Sequence, residues 1–154
     1  MKDRKMSARL SLAICSISAI ALIFLCFVFP DMAESMYQTY YENISDEALS
    51  AILKYLVPAF YCCVPFSAAA LYMLIRLLIN AIKDKPFTAE NVKYLRYVSW
   101  CCYAVMIITY AFGYKFPALI IIAVAMMIVG TLIRVVKNIM ETAVQLREEN
   151  DLTI

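Results

Sequence analysis

The feature that most constrains this chain is a set of four long stretches without a charged side chain. They comprise residues 10–30, 55–75, 97–114 and 116–133. Each approaches the roughly 20 residues that a helix needs to cross a hydrocarbon layer about 30 Å thick. Apolar residues make up 64% of the 154 residues, well above the roughly 45–50% of soluble domains. We therefore predict an all-α integral membrane protein, a bundle of four transmembrane helices.

The basic residues are distributed unevenly between the two sides that four such helices would create. Only Lys54 and Lys115 fall on the side of the first and third connections, whereas the remaining 12 of the 14 Lys and Arg residues fall on the other side. Because Lys and Arg accumulate on the cytoplasmic side of membrane proteins, this distribution predicts that both termini are cytoplasmic.

Charged residues and helical spacing set the predicted bounds. The membrane spans cover residues 9–30, 51–79, 95–113 and 116–136, within a single membrane domain of residues 1–154. Asp31 and Glu34 match a capping box, and the apolar residues that follow recur at helical spacing. They predict a short helix lying along the outer surface between spans 1 and 2. Residues 137–154 form the predicted cytoplasmic tail, which begins as an amphipathic helical extension of span 4.

Composition argues against most catalytic and metal-binding functions. The chain has no histidine and only two glycines, so imidazole bases and phosphate-binding glycine loops are excluded. We predict no enzymatic activity, no catalytic residue, no cofactor and no metal site. A net charge of +2, without a continuous basic patch, argues against direct binding of nucleic acid. The apolar stretches contain no acid for proton-coupled transport.

Six cysteines lie within the apolar stretches, where a thiol behaves as a small hydrophobic group. The pairs Cys62–Cys63 and Cys101–Cys102 leave open an intramembrane redox or metal site. Their different predicted depths argue against one metal cage. Adjacent helical residues also point about 100° apart, which makes it difficult for both thiols of a pair to face one ion.

Small residues recur along one face of the first span, at Ala8, Ser11, Cys15 and Ser18. Such stripes allow two helix backbones to approach closely in lipid. The stripe predicts packing against another helix of the same chain, with a second copy, and hence a homo-oligomer, as the alternative.

Two motifs on the predicted cytoplasmic side are less typical of lipid-facing sequence. In the first, Pro86 ends the second helix, Thr88 caps the third and Glu90 complements its positive end. The third helix is thus predicted to begin about two turns before the bilayer, with Asn91, Lys93 and Arg96 exposed there. The second motif is the ending 146–154, an acidic segment with apolar residues at its close.

These motifs resemble a known family. They are similar to domain of unknown function 2975, a YoaS-like family of bacterial membrane proteins. The residues that carry the resemblance are Pro86, Phe87, Thr88, Glu90, Asn91, Val92, Leu95 and Arg96, together with the ending from Leu146 to Ile154. The order of four spans fits as well. The resemblance implies the bacterial cytoplasmic membrane and no established activity. Family members are often encoded beside a small helix-turn-helix regulator, which implies a cytoplasmic partner of that type.

The leading hypothesis is a non-enzymatic membrane module that binds or controls such a regulator. The predicted partner-binding residues are Phe87, Asn91, Arg96, Leu146, Glu148, Glu149, Asp151, Leu152 and Ile154. The alternative is a small permease, or a transport or immunity subunit, for an apolar or peptide compound. It predicts a cavity among Tyr61, Tyr72, Tyr103 and Tyr110.

Overall fold

Four helices make up almost all of the described chain. The computed structural model describes residues 2–40, 45–83, 87–114 and 116–152. The helices are α1 (Lys2–Tyr40), α2 (Asp46–Ile82), α3 (Ala89–Gly113) and α4 (Pro117–Leu152). All four are long and apolar enough to cross a membrane. The all-α class and the four candidate spans are therefore confirmed, and the helices extend beyond several of the predicted bounds.

The start of α3 agrees with the cap expected from the sequence. Thr88 has an extended backbone conformation, and its hydroxyl oxygen accepts a hydrogen bond from the Asn91 backbone N–H at 3.3 Å. Glu90 lies in the first turn, where a carboxylate complements the positive end of the helix. The third helix therefore begins eight residues before the uncharged stretch at Tyr97, as predicted.

The outer-surface helix is not a separate element. Residues 31–40 continue α1, and Pro30 lies inside the helix instead of ending it. Pro30 has no N–H for the carbonyl of Cys26, four residues earlier, but the Tyr61 hydroxyl of α2 donates a 2.7 Å hydrogen bond to that oxygen. A neighbouring side chain thus satisfies the group that proline leaves without its helical partner, which allows α1 to continue.

The helices form an open row in chain order. α1 packs on α2, α2 on α3 and α3 on α4, and among the described residues α1 and α4 have no close backbone contact. Successive helices are antiparallel: Tyr61 meets Cys26 across α1 and α2, and Arg96 meets Glu141 across α3 and α4. The expected bundle is thus not closed by contact between its first and last helices.

The small-residue stripe of α1 faces α2 over part of its length. Ala8, Ser11 and Cys15 are partly buried, and α2 is the helix that α1 contacts. Ser18, in contrast, is exposed and donates its hydroxyl to the carbonyl of Ile14 at 2.9 Å. The structure therefore supports packing within the chain for the first three residues but not for Ser18.

The interior of the row is centred on α3, which packs between two neighbours. Its side chains Val98 and Ser99 are almost completely buried. On α4, Gly130 permits a close approach, because a Cβ atom there would lie 3.1 Å from Cε1 of Tyr103 and 3.2 Å from Cβ of Cys102. α3 therefore holds α2 and α4 in position on its two sides, and α1 is attached through α2.

The hydrogen bond at Pro30 yields a first prediction. We expect Tyr61→Phe to lower the free energy of unfolding by about 1 kcal/mol, because the carbonyl of Cys26 then loses its donor in apolar surroundings. Detergent-based unfolding followed by circular dichroism measures the change. The control is Tyr110→Phe, since Tyr110 is 67% exposed. Equal stabilities of the two variants would refute this role of Tyr61.

Candidate functional site

All four helices continue beyond their uncharged stretches at the end of the helix axes that carries both termini, called here the terminal end. α4 has 36 residues, a length of about 54 Å at 1.5 Å per residue, although its uncharged part ends at Ile133. Just beyond that point the Arg134 guanidinium lies 5.5 Å from the centre of the Trp100 ring. The extensions of α3 and α4 beyond this level pack on each other.

A groove of about 220 Å³ lies between these extensions and is called the terminal groove. Its lining residues are Ala89, Val92, Lys93, Arg96, Glu141, Val144, Gln145 and Glu148. Val92 and Val144 are buried and pack the two helices together. The α3 side carries basic residues and the α4 side carries acidic residues, so the groove offers charges of both signs beside an apolar contact.

An ion-pair network spans one side of the groove. The Glu141 carboxylate accepts hydrogen bonds from Nη2 of Arg96 at 3.2 Å and from Nζ of Lys137 at 2.6 Å. Glu141 lies beyond the uncharged part of α4, and Lys137, followed by Arg96, lowers the pKa of its carboxyl group below the ordinary value. Because these side chains are partly exposed, the network contributes more to orientation than to stability.

A buried amide pair joins α2 to α3 next to the groove. Nδ2 of Asn80 donates to Oδ1 of Asn91 at 2.8 Å, and Asn91 is only 1% exposed. The prediction that Asn91 lies exposed at the start of α3 is therefore wrong. Its position, two residues into α3, turns it toward α2, where a buried amide requires hydrogen-bond partners.

Comparison with known families finds one match that covers nearly the whole chain. A family model described as Protein of unknown function (DUF2975) matches residues 6–154. The chain belongs to this family. The match covers all four helices and both motifs of the terminal end, and the family carries no assigned activity. No curated protein and no solved structure matches the chain significantly.

The other predicted partner-binding residues of the terminal end are not gathered in one place. Phe87 is exposed just before α3, and Arg96 is paired with Glu141 in the groove. Leu146 is 56% exposed. It follows the buried Val144 by two positions, so it points about 200° away from α3 around the helix. The apolar anchor at Leu146 and the groove therefore lie on different faces of α4.

The acidic residues of the tail continue α4. Glu148 lines the groove and Glu149 is exposed. Asp151 and Leu152 belong to the helix, but their side chains are not among those described, and Ile154 lies outside the described residues. The acidic tail is thus helical as far as Leu152.

Several residues of the site are not among the sequence-based candidates. Asn80 is an isolated amide near the end of an apolar helix, which is itself a signal of a buried polar contact. Lys137 and Glu141 have the four-residue spacing of a helical ion pair. Gln145 carries no such signal, and only the pairing of α3 with α4 brings it to the groove.

The residues of the alternative hypotheses are also separated. Tyr61 lies between α1 and α2, Tyr103 bonds Thr131 between α3 and α4, and Tyr72 and Tyr110 are largely exposed. The contacts of Tyr61 and Tyr103 thus lie at different helix interfaces. Within the described part of the chain, no group of three or more His, Cys, Asp or Glu side chains is arranged to hold a metal ion.

Proposed function

We propose that this protein is a non-enzymatic membrane module that binds a cytoplasmic protein, a small helix-turn-helix transcription regulator, at its terminal end. The terminal end would face the cytoplasm, because it carries all Lys and Arg residues except Lys54 and Lys115, in accordance with the positive-inside rule. The proposed class of partner rests on the resemblance described above, which implies a small helix-turn-helix regulator encoded beside the gene.

The observation that supports a binding role is the terminal groove itself. Lys93 of α3 and Glu148 of α4 are exposed on its two sides, and both belong to helix turns beyond the uncharged stretches. Opposite charges on facing walls would fix the orientation of a bound segment more than they would add affinity.

The size of the groove favours a protein partner over a small molecule. Its volume of about 220 Å³ lies below the roughly 300–1,000 Å³ of drug-sized ligand sites. One or two side chains of a partner helix would fill it. The exposed ring of Phe87, next to the start of α3, adds an aromatic contact of the kind that is frequent in protein interfaces.

The proposal is tested by co-expressing the tagged full-length chain with the regulator encoded next to it and measuring capture in detergent. We expect the double variant Lys93→Glu and Glu148→Lys to reduce capture about tenfold, which corresponds to about 1.4 kcal/mol of binding energy. Removal of residues 148–154 is expected to reduce capture at least as much, because it deletes Glu148 from the α4 wall of the groove together with the rest of the acidic tail.

The matched control is Lys83→Glu, the same charge change at an exposed residue that follows α2 and does not line the groove. It should capture the regulator within about twofold of the unmodified chain, since a charge outside an interface acts weakly through screened electrostatics. Failure of the unmodified chain to capture the regulator, or equal capture by all variants, overturns the proposal.

A further inference from the structure

A larger cavity, called here the far chamber, lies between the helices at the end opposite to the terminal end. Its volume is about 400 Å³. All four helices line it. Ala33 of α1, Ala59 of α2 and Leu119 of α4 are buried in its walls. Small side chains at the first two positions leave space that a larger residue would fill. The cavity volume falls in the range of roughly 300–1,000 Å³ found for small-molecule sites.

The chamber opens sideways, between the first and last helices of the row. α1 and α4 have no close backbone contact in the described chain. The rings of Phe29 and Phe60 stack with their centres 3.9 Å apart and hold α1 against α2. On the open side, Met36 of α1 and Ile122 of α4 line the chamber and are still 54% and 47% exposed. These two side chains form the rim of a lateral opening.

The walls of the chamber are mostly apolar. None of the described lining residues is charged. The Thr109 hydroxyl already donates to the carbonyl of Val105 at 2.8 Å. Ordered water in a cavity needs two to four polar partners, and apolar cavities of about 150 Å³ remain dry and bind apolar molecules. The occupant is therefore held mainly by apolar contact, and the Tyr37 hydroxyl and the Cys63 thiol are the other polar groups of the lining.

The position of the chamber along the helices can be related to the expected bilayer boundary. Along α1, the 20 residues from Arg9 to Phe29 span about 30 Å, the thickness of a hydrocarbon layer. Along α1 the chamber extends from Phe29 past Asp31 to Tyr37, and along α2 from Leu56, two residues after Lys54, to Cys63. It therefore straddles the far boundary of that layer, where a lateral opening meets the headgroups and the adjoining acyl-chain segments of the adjacent leaflet.

We propose that the far chamber is a binding site for a hydrocarbon chain, supplied by a phospholipid of the adjacent leaflet. One acyl chain enters between α1 and α4 and packs on Ala59 and Leu119, while its headgroup stays at the membrane boundary. The flexible thioether side chains of Met32 and Met36 can adapt to chains of different shape. This site is independent of the terminal groove, so its failure would leave the proposed function unaffected.

The test uses the full-length chain in phosphatidylcholine and phosphatidylglycerol nanodiscs that contain a trace of phospholipid with a diazirine on one acyl chain. After irradiation, mass spectrometry maps the labelled residues. We expect label to concentrate on Ala33, Met36 and Ala59 and to exceed that on the lipid-facing residues of α4. Ala59→Phe should reduce chamber labelling about tenfold, since excluding even two methylene groups from apolar surface weakens binding by roughly that factor.

Two further variants decide the outcome. Ala118→Phe blocks the rim at an exposed position and should also reduce labelling, and it decides the matter if Ala59→Phe does not fold. Ala125→Phe adds the same ring to an exposed face of α4 outside the chamber and should change nothing. Uniform labelling of lipid-facing residues, insensitivity to both chamber variants, or displacement by free fatty acid alone overturns the proposal.

Discussion

Replacing Gly130 with leucine is expected to lower the free energy of unfolding by about 3 kcal/mol, near the upper end of the cost of overpacking a close helix contact. A Cβ atom at this position would lie 3.1 Å from Cε1 of Tyr103 and 3.2 Å from Cβ of Cys102. Cys102 is buried in α3 and cannot move away freely. The remaining atoms of the leucine would then separate α3 from α4.

The effect should also reach the hydrogen bond between the Tyr103 and Thr131 hydroxyls, 3.3 Å apart, because the ring of Tyr103 must shift to admit the new side chain. Unfolding by sodium dodecyl sulfate in mixed micelles, followed by circular dichroism, measures the loss. Ala125→Leu is the matched control, since it enlarges an exposed residue of the same helix. If both variants unfold at the same detergent fraction, Gly130 is not required for the contact of α3 with α4.

The second large effect is expected for Asn91→Leu, with a loss of about 2 kcal/mol. The substitution leaves Nδ2 of Asn80 without the acceptor that it contacts at 2.8 Å. Because both partners are removed in the double variant Asn80→Leu and Asn91→Leu, we expect it to be more stable than the single Asn91 variant. The same detergent titration measures both chains, and the difference gives the coupling between the two amides.

Asn138→Leu serves as the control, because Asn138 is an exposed amide of α4 whose Oδ1 accepts a surface hydrogen bond from the adjacent Lys137 at 2.9 Å. Surface substitutions usually change stability by less than about 0.5 kcal/mol. If Asn91→Leu loses regulator capture without any loss of stability, Asn91 contacts the regulator directly. A loss of stability with capture retained by the folded fraction is the result expected from its burial.

The prediction of Thr88 as a cap and the prediction for Asn91 show what sequence could and could not decide. Capping depends on residues within one turn, so the order Pro86, Thr88 and Glu90 was sufficient to predict where α3 begins. The direction of Asn91 depends on α2, more than ten residues away along the chain. An amide close to charged residues has the pattern of an exposed helix start, and only the packing of α2 on α3 shows that it is buried.

Pro30 illustrates the same limit. Proline near the end of an apolar stretch, followed by acidic residues, is typical of a helix boundary. The sequence carries no sign that the Tyr61 hydroxyl reaches the carbonyl of Cys26. The groove and the far chamber could not be predicted from the sequence either, because each is formed by residues of different helices. Composition was sufficient for the four apolar helices, whereas their lateral arrangement required the structure.

The open row has a consequence for how the protein is made. In the described chain, each helix packs on the helices that precede and follow it in sequence. Packing between consecutive elements closes only short segments of chain, and proteins dominated by such local contacts fold rapidly. Each hairpin can therefore assemble as soon as its second helix has been inserted. α1 and α2 can pack together through Phe29 and Phe60 while α4 is still being synthesised. The packing of α1 on α2 therefore does not require α4.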